Sequence, residues 1–441
     1  MKIQNKLLKR GFSINLLEDA RLEYPQGIWE GLDKEIKKII IDNLVYLKVS
    51  PYSMFLDKEM HFDFSKPNLK DLGDRGVVAD IPRIAEEDKV SAKDLIEKFQ
   101  NKKTTFRDEN IKSIDKEISE AAILGLSFGK DSLLSYGVAK EAGLRTKLVF
   151  VQDCWDIEMV HKLLLMRRFE KEFGEKTEIM YDELDDISCY KRINKTNSEG
   201  IVGSNAMNGY IAMLLPFAFR YGANKIIFGN EQNFNDYFIN EEGLKVYPSY
   251  EQSTEWMVEQ NKALKEFTND KVRVSSFIEP LYNIGEVKVL FSRYPSVARY
   301  QMSCSLSNTR KRKERWCYNC PMCAKAFLYL KACGVDPKLV NFNKDLFGME
   351  YEKLYPLFNK PLRVYEKPSA VRDEQLFAFY LAFRNGSKGY LIDKFRERFL
   401  DEAKEKEDEL YNKFFRVYDA VSMHGKIKNE ISSIYKEELS K

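Results

Sequence analysis

The sequence predicts an α/β fold, a parallel sheet covered by helices on both faces, preceded by an α+β domain and followed by a helical region. Three observations carry that prediction. From about residue 118, apolar β-prone runs alternate with stretches of helical spacing. Gly143, Gly174 and Gly222 fall where those helices should end. The apolar run 121–126 also passes through Ser127-Phe128-Gly129-Lys130-Asp131-Ser132 straight into a helical pattern, the strand–turn–helix join of a parallel sheet.

The chain has 441 residues, enough for two or three domains. We expect an N-terminal α+β domain over 1–117, the sheet domain over 118–345 and the helical C-terminal region over 346–441. Charged residues at 32% and hydrophobic residues at 44% describe an ordinary globular chain. A formal charge of +3 is too small to imply nucleic acid or a membrane surface. No apolar run has bilayer-spanning length and no signal-peptide core follows Met1, so a cytoplasmic location is expected. Seven cysteines, four of them clustered, point away from a disulfide framework and toward metal or thiol chemistry.

In the first domain, Trp29–Leu47 has helical spacing and Val45–Met54 reads as a strand. Asp57–Pro82, rich in Asp, Lys, Pro and Gly, reads as loop or hairpin. Ser91 caps an expected helix, and the charged stretch Lys102–Lys116 marks the domain boundary. His61 and His424 read as surface residues.

The sheet domain predicts strands at Ala121–Leu126, Lys147–Val151, Thr177–Tyr181, Lys225–Phe228 and Val272–Phe277. Helices are expected at Asp131–Ala142, Ile157–Phe173, Ser204–Tyr221 and Gln252–Phe267. Ligands of such sheets bind beyond the carboxyl ends of the strands. That gathers the Ser127–Ser132 turn, the segment Gln152-Asp153-Cys154-Trp155 and Gly229-Asn230-Glu231 around one crevice. The turn is an anion site in its own right: backbone N–H groups and the helix dipole point at one spot. Gly129 permits close approach, Ser127 and Ser132 supply hydroxyls, and Lys130 adds positive charge. A phosphate group is the natural guest. Gly229-Asn230-Glu231 makes a polar strand end, which calls for solvent or a ligand. Cys154 reads equally as a small buried hydrophobe.

Tyr250, Gln252 and Ser253, in the polar, aromatic run 247–256, read in two ways. They start a capped helix, or they fold back over the crevice and contact substrate. Further on, twelve residues separate Cys304 from Cys317, and two separate each of Cys317, Cys320 and Cys323. Four thiolates at this spacing suit a closed, structural tetrahedral zinc site, with an iron–sulfur cluster as the competing reading. Cys189 and Cys333 lie outside the knuckle and read as packing residues. Between the first two ligands, Thr309–Arg315 is strongly basic: either a solvated loop, or a loop held over the crevice against pyrophosphate or an acidic substrate. Beyond Phe342, Glu374–Arg384 and Leu391–Phe415 have helical spacing, and the charged tail 426–441 is expected to pack on the core or on a second subunit.

Ser127-Phe-Gly-Lys-Asp-Ser132 resembles the Ser-Gly-Gly-x-Asp-Ser signature of the PP-loop ATP pyrophosphatases, with Phe128 where that family has its first glycine. It is neither a Walker A loop nor a dinucleotide fingerprint. The resemblance implies an adenine-nucleotide alpha-hydrolase-like fold that splits ATP, with Mg2+, into AMP and pyrophosphate. It places the phosphates on Ser127–Ser132, the adenosine beside Gln152, and Gly229, Asn230 and Glu231 next to the nucleotide. Lys130 and Asp131 are the expected catalytic residues, Lys130 stabilising charge and Asp131 orienting the metal or the loop.

The loop and cysteine knuckle together resemble 7-cyano-7-deazaguanine synthases. Gly229-Asn-Glu231, Tyr250-Glu-Gln-Ser253 with Glu255, Pro280-Leu-Tyr282, Ser303-Cys304, Trp316-Cys317 through Cys323 and Lys367-Pro-Ser resemble ATP-dependent UDP-N-acetylmuramoyl-L-alanyl-L-glutamate epimerases. Pro248 and Ser249 depart from that pattern, where Asn and His are expected. These resemblances imply adenylation of a small-molecule or peptide carboxylate. Either a glutamyl residue is epimerised, or a deazapurine acid is converted to its nitrile. A chain that binds nucleotide without turning it over is the third reading. His161 lies in an apolar helix pattern, so an Asp, Glu or Lys must serve as any base.

Overall fold

The computed structural model describes residues 2–15, 19–55, 59–108, 113–152, 159–184, 200–201, 203–304 and 314–441. Its centre is a ten-stranded sheet. The strands are β1 (Lys2–Leu8), β2 (Gly11–Asn15), β3 (Asp19–Glu23), β4 (Met60–Ser65), β5 (Thr104–Asp108), β6 (Ser119–Gly125), β7 (Thr146–Gln152), β8 (Thr177–Asp182) and β9 (Ala223–Phe228). A small hairpin supplies β10 (Phe238–Ile239) and β11 (Lys245–Val246), and β12 (Arg273–Ser276) completes the set. The order across the large sheet is β12-β9-β6-β7-β8-β3-β2-β1-β4-β5.

The five strands from β12 to β8 pair in parallel, as their apolar runs predict. β6 carries both faces of the core. Ala122 and Leu124 pack on one side with Leu148, while Ala121 and Ile123 pack on the other with Val149 and Ile226. The helices Lys130–Glu141, Met159–Phe173 and Asn283–Arg293 cover the first face; Lys34–Val49, Ala206–Tyr221 and Thr254–Phe267 cover the second. Gly143, Gly174 and Gly222 sit at the expected helix ends with φ of 69°, 69° and 62°.

The N-terminal strands extend this same sheet. β3 pairs antiparallel with β8, Leu22 opposite Asp182, and β2, β1, β4 and β5 follow outward. Two local expectations are corrected here. Val45–Met54 is no strand: Lys34–Val49 is α-helical and Ser50–Met54 a 3-10 turn. Ile40, Ile41, Leu44, Val45, Tyr46 and Leu47 are all buried. A helix enclosed on every side loses the amphipathic signal, and tertiary packing overrides β-branched propensity. Asp57–Pro82 is no loop either, since it holds β4, with Met60, Phe62 and Phe64 inward, and the helix Lys70–Asp88. The helix Ala92–Gln100 starts as expected, with the Ser91 hydroxyl accepting from the Asp94 N–H at 3.2 Å.

The C-terminal region is helical and packs on the sheet domain itself. Ser422 Oγ accepts from the Ser276 N–H at 2.9 Å and donates to Glu279, while Tyr435 donates to the Phe277 carbonyl at 2.9 Å. Among the described residues, no helix is long and apolar enough to cross a membrane.

Candidate functional site

From β6 the chain steps to β7 and β8 on one side of it and later returns to place β9 on the other. That makes the ends of β6 and β9 the switch point of the sheet, where a crevice opens. The turn after β6 lies there. Leu126 still donates to the Val149 carbonyl at 2.8 Å, and the helix then begins at Lys130 with Gly129 as its N-cap. Phe128 takes φ +60°, the left-handed conformation in which glycine is cheapest. Its ring is fully buried and meets Phe169 edge-on at 5.7 Å. The turn thus holds a left-handed residue whose side chain serves as core. Ser127 Oγ and Ser132 Oγ lie 3.4 Å apart, and Ser132 donates to the Gly129 carbonyl at 3.1 Å.

The segment after β9 meets the turn directly. Glu231 Oε2 accepts from Lys130 Nζ at 2.5 Å, and Asp131 is a further partner of the same ammonium. Glu286, on the helix Asn283–Arg293, is the third acid on it, at 3.1 Å. Lys130 is therefore buried among three carboxylates, whereas the sequence led us to expect its charge at the phosphate. Burial alone pushes its pKa down; Asp131, Glu231 and Glu286 outweigh that and hold it well above the usual lysine value. Burial also pushes Asp131 up, but Lys130 opposes it and leaves this carboxyl below its ordinary value. Glu286 goes the other way. Burial, with Asp131 and Glu231 adding to it against Lys130, raises it well above its ordinary value.

One oxygen from each of Asp131, Glu231 and Glu286 lies within 4.8 Å of the others, a set that could hold a cation. Asn283 braces it, donating from Nδ2 to Glu231 Oε1 at 2.7 Å and to Asn233 Oδ1 at 2.5 Å. Asn233 in turn donates to buried Glu374 at 2.9 Å. Sequence reasoning missed Glu286 and Asn283. Their only signal is position, in the first turn of a helix directly after the quoted Pro280-Leu-Tyr282.

The other candidates divide. Asn230 is buried, its carbonyl accepting from Ser276 Oγ at 2.7 Å. Gln252 reaches Asn230 Oδ1 at 3.5 Å and so stands at the strand end. Ser253 is buried as the N-cap of Thr254–Phe267, its hydroxyl accepting from the Trp256 N–H at 3.2 Å, which is the helix-start reading. Tyr250 packs on Tyr247 and Trp256 at 5.0 and 5.4 Å. Gln152 ends β7, beside the β6 strand end. Asp153, Cys154, Trp155, Cys189 and the basic residues 309–313 lie outside the described residues.

The sulfurs of Cys304, Cys317, Cys320 and Cys323 converge within 4.8 Å, so the four cysteines form a cluster that could bind zinc. Its knuckle is preorganised: the Asn319 N–H points to Cys317 Sγ at 3.4 Å and the Cys323 N–H to Cys320 Sγ at 3.3 Å. Cys333 lies apart, its Sγ 3.8 Å from the Ile284 carbonyl. The cysteine centre and the turn share a strut. Met302, two residues before Cys304, donates its N–H to the Phe128 carbonyl at 2.7 Å. Buried Lys162 bridges the carbonyls of Ser127 and Met302. No protein-family model and no curated protein matches this chain.

Proposed function

We propose that this chain is an ATP-dependent, carboxylate-activating enzyme of the PP-loop type, which converts ATP to AMP and pyrophosphate. One observation carries the reading. Asp131 of the turn and Glu231 of the neighbouring strand end meet on a single ammonium, at the switch point of a parallel sheet, beside a helix N-terminus.

In this reading the backbone N–H groups of the turn and the hydroxyls of Ser127 and Ser132 bind the phosphates, with the adenosine beside Gln152. Three carboxylate oxygens suit a hard divalent cation, and Glu286 Oε1, buried without a donor, favours the fit. Asp131, Glu231 and Glu286 would hold magnesium, which neutralises phosphate charge when bound. Lys130 keeps these acids together and balances them, and Asn283 fixes the orientation of Glu231. The substrate carboxylate attacks the α-phosphorus, pyrophosphate leaves, and an acyl-adenylate forms. The preferred substrate is a glutamyl residue of a UDP-muramoyl dipeptide or a related peptide. Adenylation acidifies its α-hydrogen, a base removes that proton, and water releases AMP after reprotonation. The four cysteines would hold zinc in a structural role, locking Met302 against the turn.

The test is pyrophosphate and AMP release from ATP and magnesium against a panel of acids, including UDP-N-acetylmuramoyl-L-alanyl-L-glutamate, glutamyl peptides and 7-carboxy-7-deazaguanine. Release that depends on a glutamyl acid and vanishes in Asp131→Ala supports the proposal. Release that needs the deazapurine acid and ammonia favours the synthase reading. ATP binding without cleavage under any of these conditions overturns both.

A further inference from the structure

A second cavity, of about 540 Å3, opens between the helix Met159–Phe173 and the segments that lead into and out of the cysteine centre. Arg168, Lys171, Arg299 and Arg315 line it against one acid, Glu172. That acid is already engaged: Glu172 pairs with Arg299 and accepts from the Tyr300 hydroxyl at 2.6 Å. Arg315 is fixed by donating Nη1 to the carbonyls of Arg299 and Gln301 at 2.9 and 3.2 Å. Among the described residues, no carboxylate pairs with Arg168, Lys171 or Arg315.

Like charges held together around a concave space favour an anion, and two arginines offer the planar forks that grip phosphate oxygens. A single carboxylate would leave most of this charge uncompensated. The volume falls in the range of small-ligand sites, roughly 300–1,000 Å3. We propose that this cavity is a diphosphate subsite, separate from the Ser127–Ser132 turn, which takes free pyrophosphate or the diphosphate of a nucleoside diphosphate. It adjoins the turn through a run of rings: Tyr300 meets Phe169 edge-on at 5.2 Å, and Phe169 meets Phe128 at 5.7 Å.

The experiment is calorimetric titration of the full chain with inorganic pyrophosphate, and separately with UDP, without ATP. We expect a pyrophosphate site that persists in Asp131→Ala and weakens about tenfold or more in Arg168→Ala and in Arg315→Gln. Arg168 is exposed, so its variant keeps the fold, and circular dichroism checks Arg315→Gln. UDP displacing pyrophosphate at lower concentration than pyrophosphate displaces UDP identifies a nucleoside diphosphate as the ligand; the reverse identifies free pyrophosphate. Binding indifferent to Arg168→Ala, Lys171→Ala and Arg315→Gln, or binding lost only in the turn variant, overturns the subsite. Tighter binding of a single-stranded RNA, lost in the same variants, overturns its assignment to a small ligand. Arg168-dependent binding in a chain that never cleaves ATP leaves the subsite standing and removes the proposed function instead.

Discussion

Gly229 lies against Asp131 so closely that a Cβ on the glycine would come within 2.8 Å of Asp131 Cβ. The contact joins the ends of β6 and β9 and sets where the Asp131 carboxylate stands relative to Glu231. Gly229→Ala should therefore act on the acid cluster through position alone. We expect a loss of about 1–3 kcal/mol in urea unfolding, the usual cost of overpacking. The proposed ATP cleavage should fall far more than this modest loss of folded protein explains. Unchanged turnover would show that the Asp131 position is not critical.

Phe128 combines a strained backbone with a well-packed ring, and the two effects have different sizes. Glycine at this position relieves about 1–2 kcal/mol of left-handed strain. Removing a buried phenyl ring costs about 3–5 kcal/mol. Phe128→Gly, although closer to the PP-loop signature, should be less stable than the parent by about 1–4 kcal/mol. Chemical denaturation measures the difference, and a gain in stability would refute the packing argument.

Lys130 balances three acids in a buried setting. Lys130→Met removes the one cation that, among the described residues, pairs with all three, and stranding buried charge costs about 3–5 kcal/mol. The variant should regain much of its melting temperature on addition of magnesium or manganese, or at lower pH. A melting temperature that ignores both treatments would show that the acids are not electrostatically coupled.

Glu251 supplies a pH signature away from the cluster. It is buried and accepts from the Met207 N–H at 2.8 Å. Burial first, and Asp80 second, push it up to about 8 from its ordinary 4.5, against the pull of backbone N–H groups. Between those values the folded state holds a proton that the unfolded state releases, so stability should fall as pH rises through the window and level off above it. Glu251→Gln should flatten that slope. The variant should lie close to the parent near the lower value and about 3–5 kcal/mol above it near the upper one. Urea unfolding across the window checks the sign.

The cysteine centre is expected to retain one zinc per chain through a desalting column, measured by elemental analysis. Stripping it with a strong chelator, or Cys320→Ser, should lower the melting temperature. Each should also expose the turn to proteolysis, because Met302 ties the segment before Cys304 to Phe128. A chain that purifies brown, with iron and sulfide in place of zinc, would assign the centre to a cluster.

The sequence by itself determined the parts written in contiguous residues. The apolar run into Ser127–Ser132, the glycines that stop three helices, and the cysteine spacing all depend on neighbours within a turn or two. The structure reproduces the parallel strands and the cysteine cluster. Where a segment is enclosed on every side, as around Val45, the local pattern misleads, because burial erases the periodicity that separates helix from strand. Only the tertiary structure decided that the N-terminal strands extend the central sheet, since edge pairing such as Leu22 with Asp182 leaves no local mark. It alone turned Lys130 into the acid cluster and brought in Glu286, 156 residues away, and Asn283. The order of strands across the sheet sets that convergence, and strand order follows from how distant apolar faces bury one another rather than from any single stretch of chain.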